Sequence, residues 1–234
     1  MKAFIHRFLA NPMSGPEIEA RSFACIDAEC TDGAYSRDQW EVVRRMIHTA
    51  GDLKLASEVR FTADAVGNGV TALQRGAPLY LDSNMIRAGL SLERLRRVRS
   101  DYSAEQFHCC VADADVVRQA QQARLPRSLF AVRKSRAMLD EGIAVFGNAP
   151  VALLELNRMI IEEGVRPALV IGLPVGFVHV CESKEELMGL PVPSIVIPGR
   201  RGGSPLAVSV VHALCACAER AASTQTAGAN QEAA

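Results

Sequence analysis

IAVFGNAPVALLELNRMIIEE, residues 143–163, decides the fold. Ile143 to Phe146 are apolar at every position rather than at alternate ones, the pattern of a short strand buried on both faces. Gly147-Asn148-Ala149 ends the run, and Pro150 suits the first turn of a helix, where its missing N–H is no loss. The helix reads on to Glu163. The same alternation recurs on either side, with strands predicted at Leu79–Leu81, Cys109–Val111, Ala168–Ile171 and Ser194–Ile197. Helices are predicted at Asp38–Ala50, Asp113–Ala123, Lys184–Met188 and Pro205–Ala222. Strands separated by helices of this length imply right-handed crossovers and a parallel sheet. The expected architecture is therefore an α/β fold, a doubly wound three-layer α/β/α sandwich with a mainly parallel sheet.

In such sheets ligands bind beyond the carboxyl ends of the strands. The unusual sequence sits there: Asp82-Ser83-Asn84, Ala112-Asp113, Gly147–Pro150, Gly172–Gly176 and Pro198–Ser204. Glycine lets a backbone approach a ligand closely. Five such ends side by side make a rim broad enough for a large flat substrate.

The 234 residues contain 26 Lys plus Arg and 26 Asp plus Glu, a balance that argues against a broad nucleic-acid-binding surface. With 49% hydrophobic and 22% charged residues, the composition is that of a globular chain. The seven cysteines are odd in number and include no CxxC pair, which speaks against a disulfide framework or a structural zinc site. With no signal peptide read ahead of them and no apolar run of membrane-spanning length noted, the expectation is a cytoplasmic protein without membrane partners. One domain is expected over residues 1–222, with a small, polar, disordered tail at 223–234. Pro12, Gly15 and Pro16 argue against a regular element before Glu17.

Four segments carry polar groups that could do chemistry. The helix Asp38–Ala50 reads with Asp38 as N-cap, Trp40, Val43, Ile47 and Ala50 as its apolar stripe, and Gly51 as its stop. His48 falls off that stripe, on the side of Glu41, Arg44 and Arg45, so it is not a core histidine. It reads either as a plain surface histidine or as a general acid. The negative end of the helix dipole favours its charged form and Arg44 opposes it. In GRRGGS, residues 199–204, Ser204 reads as N-cap and Pro205 as the first helical residue, so free backbone N–H groups with Arg200 and Arg201 suggest an anion site. Arg127-Ser128 could hold a carboxylate, and Glu182-Ser183-Lys184 reads as a helix start capped by Ser183.

Together these segments resemble the precorrin-8X methylmutase family. The matching stretches, in order, are IEARSFACIDAE (18–29), VVRRMIHTAGD (42–52), AVGNGVTALQRGAPLYLDSNMIRAGL (65–90), PRS (126–128), GNAPVAL (147–153), ALVIGLPVGFVHVCESKEEL (168–187) and VPSIVIPGRRGGSPLA (192–207). The resemblance implies a flavodoxin-like sheet, a homodimer, and an isomerase of cobalamin biosynthesis. That isomerase moves a methyl group from C-11 to C-12 of a polycarboxylate tetrapyrrole, needing no cofactor and no metal. It implies that His48 transfers the proton. Ser22, Arg45, Asp82, Asn84, Arg127 and Ser128 are then expected to grip the carboxylate arms, and Arg200, Arg201 and Ser204 to assist. The chain departs from the family pattern at Pro126, where a threonine is usual, at Asn84, often charged, and at His212, frequently Asn. The departures at Pro126 and Asn84 motivate an alternative: a tetrapyrrole-binding or carrier protein of the same fold without the activity.

Overall fold

The computed structural model describes residues 3–30 and 34–232, with side chains to Ser223. Six strands form one sheet: β1 (Arg60–Thr62), β2 (Leu79–Leu81), β3 (Phe107–His108), β4 (Ile143–Phe146), β5 (Leu169–Gly172) and β6 (Ser194–Val196). The first helices are α1 (Ile5–Ala10), α2 (Gly15–Glu29), α3 (Arg37–Ala50), α4 (Leu55–Glu58) and α5 (Ala65–Gln74). Between β2 and β4 lie α6 (Asn84–Gly89), α7 (Leu92–Val98), α8 (Ala114–Ala123), α9 (Arg127–Lys134) and α10 (Arg136–Leu139). After β4 come α11 (Pro150–Glu163), α12 (Val180–Met188) and α13 (Ser204–Glu232).

Strand order across the sheet is β1-β6-β5-β4-β2-β3, parallel throughout except for β1, which runs antiparallel to β6. Without β1 the order is the flavodoxin-like one, with the switch point between β2 and β4. Alternate residues of each strand face opposite layers. Leu79, Leu81, Ile143, Val145, Leu169, Ile171 and Ile195 pack with α3, α5, α7 and α13. Tyr80, Ala144, Phe146, Val170 and Val196 pack with α9, α11 and α12. The continuous apolar runs are thus explained: both faces of the sheet are covered.

Several boundaries differ from the sequence reading. The third strand lies at Phe107–His108, ahead of the expected Cys109–Val111, because pairing with Leu79 and Tyr80 sets its place. Helix α3 is capped by Ser36, not Asp38. The Ser36 side chain accepts from Gln39 N, and the Gln39 side chain answers to the Ser36 N–H. Asp38 instead pairs with Arg220 of α13. Gly51 ends the helix in the left-handed conformation as expected. Ser183 is not a cap either. It lies inside α12, buried, and donates to Val180 O, while His179 occupies the capping position.

Gly15 and Pro16 do not prevent a helix but begin one. Ser14 and Glu17 form a reciprocal cap ahead of α2, and proline is tolerated in a first turn. The expectation that no segment reaches membrane-spanning length fails for α13, whose Ser204–Ser223 stretch is long and apolar enough. More than half of it is buried, against α3, α5, α6 and α7 in particular, which accounts for the apolar character as that of a core helix. Its backbone is helical to Glu232. The side chains beyond Ser223, where a disordered tail was expected, lie outside the described residues.

Candidate active site

Helix α6 springs directly from the end of β2, and α13 follows β6 through the Pro198–Gly203 loop, so both begin at the carboxyl edge of the sheet. Between them and the second half of α3 lies an open cavity of about 480 Å³. Arg45 and Thr49 line it from α3, Met85 and Ala88 from α6, and Val208 and His212 from α13.

His48 stands between Arg45 and Thr49 in the chain, is exposed, and is not among the residues that line the cavity. Two contacts from α2 hold it. Ser22 Oγ lies 2.7 Å from its Nδ1, and the Phe23 ring meets the imidazole edge-on at 5.3 Å between centroids. The guanidinium groups of Arg44 and Arg45 lie over the same Phe23 ring, at 4.5 and 5.0 Å. Phe23 therefore anchors one face of the cluster. When the imidazole is charged, Nδ1–H donates to Ser22 and the second proton sits on Nε2, free to leave. After it leaves, the same Nδ1–H···O bond persists, so one serine serves both protonation states.

Arg45 is only 6% exposed. Its Nη1 donates to Glu19 at 2.9 Å, Glu41 lies 3.9 Å from its Nη2, and its buried Nε has no hydrogen-bond partner among the described residues. Its charge is thus balanced within the protein before any ligand arrives. The Arg45 and Arg94 guanidiniums hold the Glu19 carboxyl below the usual carboxylate range, against the opposing effect of its burial.

Asp82, at the end of β2 on the switch point, is 2% exposed. Its Oδ2 accepts the backbone N–H groups of Asn148 and Ala149 at 2.8 and 2.7 Å, tying the β2 end to the β4–α11 turn. Burial raises its carboxyl above the ordinary value, opposed by those N–H donors. Its Oδ1 is buried with no hydrogen-bond partner among the described residues. Asn84 stands exposed in the first turn of α6, behind the Ser83 cap.

Arg127 and Ser128 open α9, which packs on the other face of the sheet from α3. Arg133 pairs with Glu155 and Arg136, just past α9, with Glu163, so α9 runs in the same direction as α11. Arg127, exposed, therefore lies at the carboxyl-edge end of α9, but it lines a separate pocket against α8 with Val117, Gln121 and Arg124, not this cavity.

In the Gly199–Ser204 loop the two arginines part company. Arg200 is exposed, its guanidinium 5.2 Å from the Phe177 ring centroid. Arg201 is paired with Asp52 and Glu58. The expected anion site thus retains one uncommitted arginine. Ser204 is the first residue of α13, buried, with its Oγ 3.1 Å from Ser83 Oγ, and it lines the cavity. A Cβ on Gly202 would collide with the Leu173 carbonyl, so only glycine lets the loop nest there.

Two residues with defined roles were not singled out from the sequence for those roles. Lys184, fully buried, donates to Gly199 O at 2.9 Å and Arg201 O at 2.6 Å, holding the loop from beneath. Burial lowers its ammonium to about 8. Its neighbours Glu182 and Ser183 gave no hint of this, since the contact spans the distance from α12 to the β6–α13 loop. Phe23 adjoins Ser22 in IEARSFACIDAE, yet nothing in α2's pattern marks it as a clamp.

A family model described as precorrin-8X methylmutase matches residues 17–217. A protein of Leptospira interrogans named cobalt-precorrin-8 methylmutase is 38% identical over 208 residues, covering 86% of this chain and 92% of its own. One of Pseudomonas aeruginosa named precorrin-8X methylmutase is 36% identical, covering 86% and 94%. A solved structure described as precorrin-8X methyl mutase from Thermus thermophilus superposes with a TM-score of 0.81 at 41% identity, covering 88% of this chain and 98% of that one.

Proposed function

The chain belongs to the precorrin-8X methylmutase family, and on that premise we propose His48 as the proton donor of its methyl-shifting isomerisation. The reaction moves a methyl group from C-11 to C-12 of precorrin-8X, or of its cobalt-containing counterpart, to give hydrogenobyrinic acid or cobyrinic acid. A methyl shift within a conjugated ring is intramolecular. It consumes no second substrate and calls on no nucleophile. What it needs is an electron-poor ring held in one pose, and a proton on a ring nitrogen supplies the first requirement. The observation that supports His48 is its place on the helix whose Arg45 and Thr49 line the cavity, with Nδ1 held 2.7 Å from Ser22 Oγ, which leaves Nε2 for the transferable proton. A positioned acid contributes about 10²–10⁴-fold. The rest comes from orientation and from groups that stabilise the altered charge.

Of the expected carboxylate-gripping residues, Asn84, Arg127, Ser128 and Arg200 stay in this role because their side chains are not committed to the hydrogen bonds and ion pairs described above. Ser22, Arg45, Asp82, Arg201 and Ser204 act in this reading mainly by shaping the site. The working unit is one domain over residues 1–222, a cytoplasmic homodimer without nucleic-acid or membrane partners. Exposed Phe177, Val178 and Met85 near the open rim suit a second copy closing over it.

The test is His48→Ala. It should fold, bind hydrogenobyrinic acid, and lose about 10²–10⁴-fold in turnover of precorrin-8X, followed by the change in absorbance. Wild-type turnover by that variant overturns the assignment.

A further inference from the structure

We infer that the cavity between α3, α6 and α13 takes an apolar edge of the macrocycle carrying one carboxyl arm, and that His212 Nδ1–H donates to an oxygen of that arm. This rests on the methylmutase reading and extends it to a residue given no role above.

The ring's two nitrogens have separate fates. The backbone N–H of Ser91 donates to His212 Nε2 at 3.0 Å. A backbone N–H can only donate, so Nε2 carries no proton and the neutral ring must carry it on Nδ1. Burial, aided by the charges of Arg94 and Arg45, lowers His212 to about 4, so this tautomer holds at neutral pH. Nδ1 meets no acceptor among the described residues, yet it is not sealed from solvent, and the residue lines the cavity.

The other polar groups of the wall are differently committed. Thr49 Oγ1 donates to Arg45 O at 2.9 Å, and Ser209 Oγ donates to Leu206 O at 2.7 Å, so both hydroxyls can only accept from a ligand, while Ser204 Oγ shares a hydrogen bond with Ser83 Oγ at 3.1 Å. Arg45 is tied to Glu19. Met85, Ala88, Pro205 and Val208 make the remainder largely apolar. Such a wall suits hydrocarbon with a single oxygen acceptor placed opposite His212. It does not suit a dense cluster of carboxylates, for which it has no uncommitted cation. The macrocycle's methyl-bearing edge has the matching composition, while its other arms reach the exposed rim.

Two substitutions separate the nitrogens. His212→Gln places an amide oxygen near the old Nε2 and loses the donor at Nδ1. His212→Asn places its amide near the old Nδ1 and abandons Ser91. Affinity for hydrogenobyrinic acid is read by spectral titration and stability by thermal melting. The glutamine variant should melt like wild type and bind about 10–100-fold more weakly, the effect of one hydrogen bond to a charged group. The asparagine variant should bind within about twofold of wild type and melt lower. Ala88→Phe, which fills the cavity, should weaken binding further. Wild-type affinity in the glutamine or the phenylalanine variant, or equal loss in glutamine and asparagine, overturns the inference while the wild-type enzyme still binds and turns over. If wild-type protein neither binds the product nor converts the substrate, the methylmutase reading has failed, and this one with it.

Discussion

Ser22 matters to His48 because an exposed imidazole on a helix is otherwise free to rotate. The hydroxyl at 2.7 Å and the Phe23 edge favour one orientation, with Nδ1 turned to Ser22. Ser22→Ala should keep product affinity within about twofold and reduce turnover about tenfold, roughly one hydrogen bond's worth. Steady-state kinetics check this, and an unchanged kcat would remove Ser22 from the mechanism. The helical wheel of α3 already separated His48 from the core stripe, so this much was legible in the sequence. Whether it was an idle surface histidine was not, because the partner that decides it lies 26 residues away on α2. Arg45 and Asp82 show the converse. Their residue types suggested ligand contact, but burial directed the first to Glu19 and the second to the Asn148 and Ala149 N–H groups. Unmade hydrogen bonds in a dry interior are costly, so such groups turn to partners within the protein first, although Arg45 Nε and Asp82 Oδ1 keep none among the described residues.

Among the elements, α12 and the β6–α13 loop are coupled through Lys184, whose ammonium is buried beneath two carbonyls. Its folded value, about 8, lies below the ordinary 10.5. Between those values the unfolded chain binds more protons at this site than the folded one, so this group's contribution to stability rises with pH from about 8 to 10.5 and is flat above. Comparing wild type with Lys184→Met by urea unfolding at pH 7.5 and pH 10 isolates the effect, since other titrations cancel. Wild type should gain stability relative to the variant at the higher pH. A constant difference would mean that the lysine is solvated. Of the long elements, α3, α11 and α13 were readable from periodicity and breakers, but the 15-residue α2 was not. The short α6, α7 and β1 were not. Strand β1 has three residues, two of them polar, and exists because Thr62 Oγ1 donates to Val192 O and accepts from Ser194 N at the sheet edge. No local pattern encodes a pairing of that span.

Across the whole molecule, the switch point between β2 and β4 gathers α6 and the β4–α11 turn at one edge, and the same edge receives the start of α13. The rim is open, and a homodimer should close it. Light scattering should give a mass twice that of the 25.2 kDa chain, and a fully active monomer would defeat that proposal. The sequence by itself determined the layered parallel architecture, because doubly buried strands and amphipathic helices in alternation admit few packings. It also determined the family, through motifs in a set order. Only the tertiary structure decided which polar side chains face a ligand and which hold the scaffold. Residue type specifies what a side chain can bond to, but burial and distant partners determine what it does bond to. Those partners come together only when the sheet is assembled.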